Sequence, residues 1–272
     1  LTVQPGEHVA LVGRSRLPMQ TCACTSASKR TWTCACTYTG ERSCTCAHVQ
    51  VGRSGAGKSE AMKAVLRHVH VDLAVAFCPT DETADELAKC IPRACIHPKL
   101  DLAVVERALA LQKELAHKER SLALIADDCG YTKGDWSTST MRQMLMNARH
   151  HRIALHFSMQ YLKLIEPALR SNVSYVVCCA ENILANKKAL WQCFFGLIPS
   201  YQEFDRIFTA CTQDYSCIVL DQTQPSASVE NSVFWYKADI DAPPFRMCKP
   251  CMWTMHKRQP APKAEDAVSV LC

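Results

Sequence analysis

Lys58 and Ser59 close the stretch Gly52-Arg53-Ser54-Gly55-Ala56-Gly57-Lys58-Ser59, which fits G-x-x-x-x-G-K-[ST] at every fixed position. Each residue type in that pattern has a physical task. Glycines at Gly52, Gly55 and Gly57, with the small residues Ser54 and Ala56 between them, let backbone N–H groups turn inward around phosphate oxygens. Lys58 reaches the β- and γ-phosphates of a nucleoside triphosphate, and the Ser59 hydroxyl holds Mg²⁺. A helix beginning near Lys58 points its positive end at the same anion. The expected ligands are therefore ATP and Mg²⁺.

A second group of chemical residues lies downstream. The run 121–126 is apolar and ends in Asp127-Asp128. A strand that stops at paired carboxylates beside a phosphate loop suits magnesium chemistry. Asp127 is expected to bind the metal and Asp128 to polarise the attacking water. The apolar run 153–159 ends in Gln160, a polar residue placed to sense the γ-phosphate.

These residues need a scaffold. Apolar runs at 71–78, 121–126, 153–159 and 175–179 read as buried strands, and 216–221 and 232–237 as two more. Helical spacing appears at 59–68, 82–90, 102–117, 137–147, 183–195 and 201–211. Strands alternating with helices predict an α/β fold, a mainly parallel central sheet with helices on both faces, and the phosphate loop makes it one of the P-loop NTPase kind. Ligands of such sheets bind at the carboxyl ends of the strands.

The stretch before the phosphate loop is irregular. Residues 8–12 read as a strand, but residues 16–47 are rich in Thr, Cys and Ser, with pairs Cys22/Cys24, Cys34/Cys36 and Cys44/Cys46. Val51-Gly52-Arg53-Ser54 then repeats Val12-Gly13-Arg14-Ser15. Removing one copy and the intervening text joins 6–12 directly to the phosphate loop. We therefore divide the chain into a core strand at 1–12, a low-complexity insertion at 13–51, an ATPase domain at 52–240, and a Pro/Lys-rich, disordered tail at 241–272. If residues 47–51 replace the original strand, Gln50 falls where Leu11 belonged. A buried amide without partners costs about 1–3 kcal/mol, so impaired activity is expected.

Composition sets further bounds. The chain has 272 residues, 18 of them Cys, with a formal net charge of +5. No run approaches the roughly 18 apolar residues of a membrane helix, and the first residues lack the pattern of a secretory signal. Many cysteines sit inside apolar runs, as small hydrophobes do. An intracellular, reducing compartment and no membrane partner are the expectation. The modest positive charge is compatible with nucleic acid.

The series Phe77-Cys78-Pro79-Thr80, Gln112, Ile125-Ala126-Asp127-Asp128-Cys129-Gly130-Tyr131, Met146-Asn147-Ala148-Arg149-His150-His151, Gln160-Tyr161 and Pro167-Ala168-Leu169-Arg170-Ser171-Asn172 resembles the genome-packaging ATPases of large nucleocytoplasmic DNA viruses, poxvirus-type included. These belong to the FtsK–HerA superfamily, so the resemblance implies a RecA/FtsK-like fold. The resemblance covers roughly residues 50–237 and departs from the family at Ala148, usually Gly, and Ser174, usually acidic. It implies a homo-oligomeric ring that hydrolyses ATP to drive double-stranded DNA, gripped without reading sequence, into a capsid, with capsid or portal proteins as further partners. It also implies a neighbour's arginine completing each site, for which Arg149 and then Arg170 are the candidates. Location follows ancestry: a viral factory or virion, or the host nucleus or cytoplasm for an endogenised copy.

Two other readings compete. The text 5–12 joined to the phosphate loop resembles the ATP-binding subunit of a membrane transporter, although no L-S-G-G-Q-type motif precedes Asp127. A catalytically impaired remnant that binds nucleotide, DNA or partner subunits is the other.

Overall fold

The structure is a computed structural model and describes residues 45–116, 118–129, 135–161, 165–224 and 228–258. The strand expected at 8–12 and most of the 13–51 stretch lie outside the described residues.

Eight strands form one sheet in the order β3-β2-β4-β5-β1-β6-β7-β8. They are β1 (Ala47–Val51), β2 (Leu73–Phe77), β3 (Ile96–His97), β4 (Leu122–Asp127), β5 (Ile153–Met159), β6 (Tyr175–Cys178), β7 (Ser216–Asp221) and β8 (Val233–Lys237). Strands β1 to β6 pair in parallel, and β7 and β8 return antiparallel. Helices cover both faces. On one side α1 (Lys58–Leu66) and α2 (Asp81–Ala88) pack through Ala61, Met62, Val65, Ala84 and Leu87. On the other, α3 (Leu102–Ala116), α4 (Ser139–Asn147), α6 (Leu184–Cys193) and α7 (Tyr201–Cys211) bury Val105, Met144, Leu190 and Phe204. The short α5 (Pro167–Arg170) and α8 (Val229–Ser232) lie in connections.

The fold is the expected mainly parallel α/β sheet. Strand β3 escaped the sequence reading because two residues carry no period. Two methionines of α4 fill core, Met141 and Met144 being fully buried, whereas Met146 is exposed. Among the described residues, no helix is long and apolar enough to cross a membrane. The twelve described cysteines are free thiols, most of them buried.

Two boundaries differ from expectation. Residues 47–51, assigned to the insertion, form the central strand β1, hydrogen-bonded to β5 on one side and β6 on the other. Residues 241–258, assigned to a loose tail, pack on the domain and end in α9 (Pro250–Arg258). The Met247 N–H donates to the Cys90 carbonyl at 2.8 Å, Lys249 pairs with Asp72, and the Arg67 guanidinium lies 4.8 Å over the Phe245 ring. Proline and lysine content hid these apolar anchors.

β1 also carries a polar row into the core. Gln50 aligns with Ser158 on β5, which aligns with Asp127 on β4; two residues earlier, His48 stacks on His156 at 4.7 Å. Side chains two apart share a face, so this row lies beneath α1. Gln50 is fully buried, and neither its Nε2 nor its Oε1 has a hydrogen-bond partner among the described residues. The sequence expectation for Gln50 is thus met. Gln50→Leu is predicted to raise the unfolding free energy by roughly 1–3 kcal/mol, read as a higher urea midpoint with an unchanged slope.

Candidate nucleotide site

The site begins where β1 runs out of ladder. The Arg53 N–H donates to the Ala180 carbonyl at 3.2 Å, which ties the loop entrance to the end of β6. Gly52 has to be glycine here: a Cβ would stand 2.9 Å from the Cys179 Cβ. Gly55 and Gly57 have φ of +71° and +86°, the left-handed region that side chains disfavour. Gly57 is also the N-cap of α1 and supplies no side chain to its first turn. The leading N–H groups of α1 thus face the loop without a side-chain cap, as anion binding requires. Arg53, Ser54 and Gly55 are exposed at the rim, whereas Ala56 is buried beneath them.

Lys58 is 7% exposed and its Nζ donates to the Arg53 carbonyl at 3.1 Å. The lysine folds back across the loop and offers its charge to the concavity. The Ser59 Oγ donates to Asp127 Oδ2 at 3.0 Å. Asp127 is the last residue of β4 and is 4% exposed. Burial pushes its carboxyl above the ordinary aspartate value, opposed by the hydroxyls of Ser158 and Ser59. A buried hydroxyl–carboxylate pair of hard oxygens suits Mg²⁺, and a dication would offset the desolvated charge. Ser59 and Asp127 are the residues that would hold it.

Asp128 turns away from the strand with φ +52°, a left-handed non-glycine conformation costing about 1–3 kcal/mol. Its N–H donates to the Ser158 carbonyl at 3.0 Å, and Gln160 Nε2 donates to its Oδ2 at 2.7 Å. The two predicted residues from β4 and β5 therefore form a pair at the carboxyl ends of adjacent strands. Cys129 is buried behind them, donating to the Phe77 carbonyl at 3.2 Å, with its thiol pushed up to about 12; it is a packing residue.

The two arginine candidates lie elsewhere. Arg149 donates to the Ser174 Oγ at 2.8 Å, and that same oxygen accepts from the Ala47 N–H at 3.1 Å. These are the amino ends of β1 and β6, about 16 Å of strand from the phosphate loop at ~3.3 Å per residue. Arg170 donates to the Ile165 carbonyl at 3.2 Å and to Cys193 Sγ at 2.9 Å. Neither is brought to the site of its own chain. Gln112 donates to the Arg120 carbonyl at 2.7 Å and ties α3 to the chain before β4. The sequence reading also missed Tyr215. It is 75% exposed, and its ring would lie 3.5 Å from a Cβ at Gly57. Only the antiparallel return of β7 puts it there, so no local signal could have found it.

No family model matches the chain. An uncharacterized protein of Acanthamoeba polyphaga mimivirus is 30% identical over 203 residues, spanning 70% of this chain and 72% of that one. An uncharacterized protein of Frog virus 3 is 26% identical over 197 residues, spanning 70% of this chain and 61% of that one. The genome packaging NTPase of Sulfolobus turreted icosahedral virus 2, in complex with AMPPCP, superposes with a TM-score of 0.52 at 14% identity, over 72% of this chain and 98% of that one. Its sulfate complex gives a TM-score of 0.52 at 15% identity. The chain belongs to a protein family of large DNA viruses that includes the mimivirus relative. In this viral protein the match to the archaeal-virus genome packaging NTPase is one of fold, that of a P-loop NTPase.

The buried Asp127 gives a pH signature. Its raised pKa means the folded protein binds that proton more tightly than the unfolded chain. The unliganded protein is therefore predicted to lose stability as pH rises from the ordinary aspartate value through the raised one. Asp127→Asn should flatten that slope, read from melting temperatures across acid to neutral pH.

Proposed function

We propose that this chain hydrolyses ATP to translocate double-stranded DNA, as a ring-forming motor of viral genome packaging. The observation that carries the proposal is the convergence of Lys58, Ser59 and Asp127 at one end of the sheet, with Asp128 and Gln160 beside them. The solved relative's fold, and its description as a genome packaging NTPase bound to an ATP analogue, support the same reading.

Within this mechanism the loop N–H groups and α1 bind the phosphates. Lys58 leaves the Arg53 carbonyl for the β- and γ-phosphate oxygens. Ser59 and Asp127 would hold Mg²⁺, which when bound would neutralise charge on those phosphates. Asp128 polarises the attacking water, and Gln160, already bonded to one Asp128 oxygen, holds that carboxylate in place and reports γ-phosphate loss to β5. Transition-state charge is met by a cation from the neighbouring subunit. Arg149 suits that task better than Arg170. Arg149 is the more exposed of the two, although its guanidinium donates to the buried Ser174 Oγ; Arg170 is half-buried and bonded to Ile165 and Cys193. DNA would be gripped through its phosphates without base readout. Capsid or portal proteins are the further partners, and the site of action is a viral factory or virion, or the nucleus or cytoplasm for an endogenised copy.

A second reading, a nucleotide-binding remnant, draws on the unpaired Gln50 in the strand that carries the loop. The two separate in one assay. For a motor, duplex DNA stimulates turnover, and Lys58→Ala lowers it by roughly 10²-fold or more, the scale for removing one preorganised transition-state donor. ATP binding without turnover in either condition, with turnover appearing once residues 13–51 are deleted, identifies the remnant.

A further inference from the structure

The triphosphate's own chemistry leaves one end of the ligand to be placed. Its γ-phosphate end is fixed by Lys58, Ser59 and Asp127, and the carboxylates stand on β4, separated from β1 by β5. The base and sugar must leave the loop in another direction. One route is the cleft between α1 and α2, lined by Glu60, Glu82 and Glu86. Its lysine, Lys63, is already paired with Glu60 at 2.7 Å and Glu86 at 3.4 Å. That cleft is also lined by Ser59 and Asp127, so it opens at the γ-phosphate end of the ligand and not at its nucleoside end.

The other route runs over β6 and β7, on the far side of β1. There Tyr215 stands against the loop. Its ring edge and Cβ would lie 3.5 Å and 3.6 Å from a Cβ built on Gly57. The residue is 75% exposed, so the remainder of the ring is open to solvent beside the phosphate cradle. Asp214 and Tyr215 hold consecutive positive φ of 50° and 61°, which costs energy at non-glycine residues. That backbone turns the aromatic ring up to the loop rather than down into the apolar layer, where tyrosine ordinarily gains by burial.

We propose that Tyr215 is the base-stacking platform of the nucleotide site, its ring lying against the purine of the bound triphosphate. This rests on the reading of the loop as a nucleotide cradle and adds the direction in which the nucleoside leaves it. Stacking recognises the π-face that every base presents, so the platform sets affinity for nucleoside triphosphates as a class more than it selects adenine over guanine.

The test compares ATP with inorganic tripolyphosphate, which carries the phosphates without a base, by titration calorimetry on the full chain. Tyr215→Ala is expected to weaken ATP binding about tenfold or more, on the scale of losing one base–aromatic stack. It leaves tripolyphosphate affinity unchanged, while Tyr215→Phe keeps both. Because the side chain is largely exposed, the Ala variant retains the fold. Unchanged ATP affinity in Tyr215→Ala overturns the stacking role. So does an equal loss for ATP and tripolyphosphate, which would make Tyr215 a prop for the loop. A wild-type chain that binds neither ligand overturns the nucleotide reading itself, and with it this one.

Discussion

The hydrogen bond between Ser59 and Asp127 joins residues 68 positions apart, and most of the architecture is needed to make it. β1 and β4 are not neighbours; β5 lies between them. The serine reaches the aspartate because α1 lies across that intervening strand, packed by Ala61, Met62 and Val65 onto Ala123, Ile125 and Ala154. Parallel pairing of β1, β5 and β4 brings all three carboxyl ends to one edge. An antiparallel strand in that trio would send one group to the far end of the sheet.

The same requirement explains where polar groups are tolerated. Asp127 is buried with an elevated carboxyl pKa, a state that costs stability in the empty protein and favours a bound dication. Asp128 occupies a left-handed backbone position beside it. Functional sites commonly hold such strain because surrounding structure over-determines it. Gln50 and His48 are polar in β1, two strands away, without belonging to the chemistry. The strand that supplies them is shared by two cores, since Val49 and Val51 pack into the opposite layer.

Much of this was legible in the amino-acid text because the chemistry is local. The phosphate loop and the Asp127-Asp128 pair are continuous strings, and the strands ending in them are apolar runs long enough to recognise. Gln50 could be flagged because the repeat around Val51 fixes its register. What stayed hidden depends on assembly. Nothing near Tyr215 says that β7 runs antiparallel and returns it to the loop. Arg149 sits in cation-rich text and Arg170 does not, yet only the sheet reveals that one lies at its amino edge and the other bonds Cys193. Residues 241–258 were misassigned because composition averages over a few decisive anchors, Phe245, Met247 and Trp253. The Trp253 Nε1 donates to the Met247 carbonyl at 2.8 Å.

The packing of that C-terminal segment has a mechanical consequence. α1 is a rod of nine residues, about 14 Å at 1.5 Å per residue. Lys58 and Ser59 are at one end, and Arg67, lying over the Phe245 ring, follows the other. Lys249 clamps the same segment to Asp72, which also accepts from the Ser121 N–H at 2.8 Å just before β4. Tension on the chain around Phe245 is delivered both to the far end of the rod and to the root of the carboxylate strand. The segment thus bridges the two elements whose other ends carry Lys58, Ser59 and Asp127.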